Sequence, residues 1–180
     1  MLTPVYIVSQ VFVIITYILL VITYQVKKRK SILIISFISL ITQAATFLLL
    51  EAYSGLIMCG VAAIRNIIFL IQENKNGGKS EKINKVDVGI LIILYAISVA
   101  SAFITYDGFW SLFSVFATML YTYSVWQKNT TVYKIFGILV GLLWIIYNIY
   151  IFSVFGIVCE SILTISAVIG LLNVKKKKTS

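Results

Sequence analysis

Seven apolar stretches run through this 180-residue chain with short polar breaks between them. Each is about 17–22 residues long, which suits a helix crossing the hydrocarbon core of a bilayer. A backbone in lipid must satisfy its own polar groups, so only helices and closed barrels can span. Barrel strands would show strict alternation over about 10 residues, and no such alternation is sustained. The expected fold is therefore all-α, a seven-helix transmembrane bundle. The helices are expected at about Val5–Val26, Ile32–Leu50, Leu56–Gln72, Val88–Thr105, Phe109–Trp126, Val132–Ser153 and Ile157–Val174. Composition agrees, with 61% hydrophobic and only 12% charged residues. Soluble domains carry roughly a quarter charged residues.

The basic residues are sorted. Lys27–Lys30, then Lys75, Lys79, Lys82 and Lys85, then Lys128 and Lys134, then Lys175–Lys178 follow the first, third, fifth and seventh stretches. The breaks after the second, fourth and sixth hold no Lys or Arg, only residues such as Glu51, Gly55, Asp107, Gly108 and Gly156. Arg65, inside the third stretch, is the exception. The positive-inside rule then places the N-terminus outside and the C-terminus in the cytoplasm. The net charge of +9 is read as topology signal and contact with anionic headgroups, not as nucleic-acid binding. With no basic stretch before the first apolar run and no small-residue cleavage site after it, a cleaved signal peptide is not expected.

Glu73–Lys85, with Gly77-Gly78 and four lysines, reads as a flexible cytoplasmic loop. A shift of 101 residues lays Val5–Gln72 over Tyr106–Asn173 without a gap, bringing Lys27 onto Lys128 and Gly55 onto Gly156. The expected plan is two parallel three-helix repeats joined by a linker helix. Residues 1–72 form the first repeat, 73–105 the loop and linker, and 106–180 the second repeat with its basic tail. Parallel repeats are a transporter architecture with the site at the repeat interface.

Polar residues within the spans are costly and so informative. Arg65 lies roughly 15 Å from the outer end of its helix at the usual rise. It reads as a substrate or counter-ion site, as half of a structural pair with Glu160 or Glu51, or as a snorkelling cation. Asn66 beside it is a further lining residue. Gly137, Gly141, Trp144 and Asn148 share one helix face, suiting either a flat polar ligand or close helix packing. Tyr147 lies beside them. Ser36, Ser39, Gln43 and Thr46 share another face, as do Ser111, Ser114, Thr118 and Tyr121. Hydroxyls can bond back to their own helix, so these faces need not be wet. Trp110 and Trp126 read as interface anchors. Asn129-Thr130-Thr131 has the glycosylation pattern but falls on the expected cytoplasmic side.

There is no histidine and there are two cysteines, so neither a Ser-His-Asp nor a Cys-His arrangement can be assembled. The usual zinc sites are equally out of reach. Cys59 and Cys159 read as small buried apolar residues, with a disulfide the lesser alternative. No glycine-rich phosphate loop occurs. Neither catalysis, nor a metal, nor a cofactor is expected.

The segment Ala63-Ile64-Arg65-Asn66, with Trp144, Asn148, Ser153, Gly156 and Glu160, resembles the YgjV-type bacterial inner membrane proteins over most of the chain. The three-plus-one-plus-three plan also resembles the SWEET, PQ-loop and nicotinamide riboside transporters. That resemblance implies solute passage between two three-helix units by alternating access. Trp144-x-x-Tyr147-Asn148 is similar to the aromatic-plus-amide lining of the riboside transporters. The chain departs from the SWEET pattern in having Pro4 as its only proline.

The expectation is a multi-pass protein of the bacterial plasma membrane that transports or facilitates a small polar solute, whether sugar, nucleoside or vitamin-like. Its lining would be Gln43, Arg65, Asn66, Trp144, Tyr147, Asn148 and Glu160. The competing expectation is a non-transporting structural or partner-binding membrane protein. The partners expected are the lipid bilayer and the solute, with homo-oligomers left open.

Overall fold

The computed structural model describes residues 4–51, 53–75, 85–104, 109, 111–150, 152 and 154–179. Among them every regular element is a helix: α1 Pro4–Gln25, α2 Arg29–Leu49, α3 Tyr53–Lys75, α4 Lys85–Ile104, α5 Ser111–Trp126, α6 Thr130–Tyr150 and α7 Val154–Thr179. Trp110, Ser153, Asp107, Gly108 and Lys79–Lys82 lie outside the described residues, as do the side chains of Ser111, Ser114 and Lys175–Lys178.

Among the described residues, four stretches are long and apolar enough to cross a membrane: Pro4–Gln25, Arg29–Leu49, Thr130–Tyr150 and Val154–Val174. Large apolar side chains lie bare on the outer faces, including Ile14 at 53%, Ile18 at 54%, Ile92 at 62% and Ile93 at 61% exposure. Such a surface is suited to acyl chains and would aggregate in water. The helices overrun their apolar stretches where the basic residues lie. α2 starts at Arg29, α3 continues to Lys75, and α7 carries on through the lysines to Thr179. Hydropathy marks the hydrocarbon, whereas intrahelical hydrogen bonds continue past it.

The chain forms two compact units, Met1–Gly78 and Lys79–Ser180. In the first, α2 packs against both α1 and α3. In the second, α6 packs against both α5 and α7, and α4 packs on α5. Helices in lipid gain little from apolar burial, so close approach of small residues carries the packing. Ser9, Thr16 and Thr23 recur every seventh residue along α1 and are almost fully buried. Thr16 and Thr42 share a 2.6 Å hydrogen bond across the α1–α2 seam. On α6, a Cβ at Gly141 would collide with Thr164 Oγ1 of α7, so glycine lets the two helices approach closely there.

Several helix boundaries keep the 101-residue offset, though the starts of α1 and α5 and the ends of α3 and α7 do not. α1 and α5 end at Gln25 and Trp126, α2 and α6 run from Arg29 and Thr130, and α3 and α7 start at Tyr53 and Val154. The turns obey it too. Glu51 and Phe152 both take φ 54°, and their amides bond to Leu48 O and Ile149 O at 3.2 Å. The sequence reading placed glycines in these turns, but Gly55 and Gly156 fall within the first turns of α3 and α7.

Candidate functional site

One ion pair sets the register of α2 against α3. Arg29 Nη1 donates to Glu73 Oε2 at 2.5 Å, with the two side chains 8% and 15% exposed. Moving four residues along each helix gives Leu33 and Phe69, at 1% and 0% exposure. Moving seven residues, two full turns, returns to the same face at about the same height. Those positions are Ser36 on α2 and Asn66 on α3, each 1% exposed. Neither the Ser36 hydroxyl nor either atom of the Asn66 amide has a hydrogen-bond partner. Ser36 thus forgoes the usual bond back to its own helix. Arg65, 7% exposed, is one residue before Asn66 and about 100° around the helix. Two further turns toward the opposite end, Gln43 is half-buried.

In the second unit the seam is α6–α7. Lys134 Nζ, in a side chain only 1% exposed, donates to Gly170 O at 3.1 Å. The Gly141–Thr164 approach lies further along. One turn beyond it, Trp144 and Glu160 reach similar heights on facing helices, both half-buried. Trp144 and Tyr147 meet edge to face at 5.7 Å. Asn148 Nδ2 donates to Trp144 O at 2.8 Å, so one of its donors is taken by its own helix. Thr164 Oγ1 donates to the Glu160 carbonyl at 2.8 Å, leaving the carboxylate outside that bond.

The structure thus joins Trp144 to Tyr147 by a ring contact and to Asn148 by a hydrogen bond, while Arg65 and Asn66 are buried neighbours along α3. It also reveals residues that sequence reasoning missed. Lys134 was grouped with a basic loop but is deeply buried. Arg29 and Glu73 were assigned to loops but pair between helices. Trp126 was read as an interface anchor. It is instead 7% exposed, and its Nε1 donates to Asp87 O at 2.9 Å. Lys128 Nζ reaches Asp87 Oδ2 at 3.2 Å, so α4 is pinned to the α5–α6 connection. Asn129 caps α6, its Oδ1 accepting from Thr131 N at 2.8 Å. The signal for that cap was an asparagine just ahead of an apolar run.

Apolar outer faces, small-residue seams and buried polar groups within long helices define an α-helical, multi-pass membrane protein. The chain belongs to the Imp-YgjV family of bacterial inner membrane proteins, whose family model matches residues 7–178. No curated protein and no solved structure matches it.

Proposed function

We propose that the chain is a small transporter or facilitator that passes a small polar solute through the bacterial inner membrane by alternating access. The observation that carries this reading is the Arg65–Asn66 pair, buried near the middle of a long helix. Intramembrane polar groups are costly, and they commonly mark substrate or ion pathways. Glu160 and the Trp144–Tyr147–Asn148 group supply further polar lining in the second unit. With the basic residues inside, the N-terminus lies outside and the C-terminus in the cytoplasm. The helix boundaries and turns that keep the 101-residue offset support a reading as two three-helix repeats, the plan of transporters built on parallel repeats.

A second reading, a non-transporting structural or partner-binding membrane protein, is favoured by the tight Gly141–Thr164 seam. Proteoliposome uptake with labelled sugars, nucleosides and amino or hydroxy acids separates the two. Uptake above that of empty liposomes, lost in Arg65→Ala, is the expected result. No uptake across the panel by folded protein overturns transport and leaves the second reading.

A further inference from the structure

We infer that Ser36, Arg65 and Asn66 form an intramembrane recognition site for a carboxylate that bears a neighbouring hydroxyl or amino group. The inference deepens the transport reading, and rests on it for the movement of that solute. Its starting point is hydrogen-bond accounting in the α2–α3 seam. Ser36 Oγ, Asn66 Nδ2 and Asn66 Oδ1 are all buried and lack partners. Buried polar groups in native proteins are almost always satisfied, and in hydrocarbon each unmet group is costly. Three such atoms, brought to one height by equal two-turn steps from the Arg29–Glu73 bond, call for one polar occupant.

Donor and acceptor counting narrows that occupant. Ser36 can donate one O–H and the Asn66 amide nitrogen two N–H, and Arg65, the preceding residue on α3, adds positive charge. This donor-rich group, with a guanidinium at its edge, selects an anion and repels a metal cation. A planar carboxylate matches the fork of an arginine. Asn66 Oδ1 can only accept, so a bare halide or acetate would leave it unmet. The occupant must therefore carry a donor close to its carboxylate, as 2-hydroxy and 2-amino acids do. Leu33 and Phe69, almost fully buried one turn toward the basic end, close the site on that side with apolar bulk.

The test is binding to full-length protein in lipid nanodiscs, read as ligand-induced shifts in unfolding midpoint and as Kd by titration. The probes are L-lactate, L-alanine, acetate, lactamide and chloride. L-lactate or L-alanine should bind at least tenfold more tightly than acetate, lactamide or chloride. Asn66→Leu should remove that preference and Asn66→Gln should retain part of it. Arg65→Gln should weaken lactate binding more than lactamide binding. Equal binding of acetate or chloride would reduce the site to an unselective anion hole and overturn the inference. So would a lack of any shift in wild type, which leaves the pair holding water only. Because binding is read without transport, lactate binding with no uptake sinks the transport reading alone. Uptake of a neutral solute unaffected by Asn66→Leu sinks this site alone.

Discussion

At the scale of single residues, a buried pair is costly to break, whatever it contributes when intact. Arg29 and Glu73 are 8% and 15% exposed and touch at 2.5 Å, so solvent screens neither well. Glu73→Gln should leave a buried guanidinium without its counter-charge and destabilise by about 3 kcal/mol. Arg29→Met with Glu73→Leu should recover most of that loss, since apolar replacement of both partners removes the desolvation cost as well. Thermal unfolding of the three proteins in one detergent checks the order. The α6–α7 seam makes a matching steric case. Gly141→Ala drives a methyl against Thr164 Oγ1, an overpacking worth about 1–3 kcal/mol. Thr164→Ala in the same chain should restore the midpoint. Gly60→Ala, where a Cβ meets nothing within 4 Å, should leave it unchanged or slightly raised.

At the scale of elements, the two tight turns carry the local strain. Glu51 holds φ 54° just after α2, a left-handed conformation that costs an ordinary side chain about 1–2 kcal/mol. Glycine takes it freely, so Glu51→Gly should stabilise by about 1 kcal/mol, measured as a raised unfolding midpoint. The sequence placed a break at Glu51 but ran the sixth helix past Phe152, and Gly55 and Gly156, the glycines that suggested the turns, were absorbed into helices. The helices themselves were legible, since apolar length is set by bilayer thickness and leaves a direct trace in the chain. Their ends were not, because hydrogen bonding extends helices beyond the hydrocarbon to Arg29, Lys75 and Thr179. Arg65 and Asn66 stood out as polar letters in an apolar stretch. Ser36 was visible only as one hydroxyl in a stripe, and its unmet state needed the facing helix. Lys134 was misread because a lysine four residues into a helix looks like loop charge, and its acceptor, the Gly170 carbonyl, lies on the facing helix. At the 101-residue offset Lys134 and Gly170 stand where Leu33 and Phe69 stand. A long side chain beside a glycine in one unit thus takes the place of two bulky apolar groups in the other.

At the scale of the whole molecule, the offset turns topology into a sharp prediction. Three helices separate each residue from its counterpart within the next unit, and the linker helix adds a fourth. Four crossings return the chain to the same side of the bilayer, so counterparts must share a side if every helix crosses. α5 is the stringent case, because its 16 residues span only about 24 Å at the usual rise, short of the roughly 30 Å core. A short helix is accommodated by local thinning of the bilayer or by snorkelling of its flanks, at a modest cost. Single cysteines placed at Glu51 and Phe152, both exposed, in a chain with Cys59 and Cys159 replaced by alanine, should both react with an impermeant maleimide added to intact cells. On the proposed topology, cysteines at Lys27 and Lys128 should react only after the membrane is opened. Labelling of position 51 but not 152 would mean that one of the intervening helices fails to cross. The like-oriented pair of units, and with it alternating access between them, would then be lost, while the α2–α3 site, which lies within one unit, would stand unaffected.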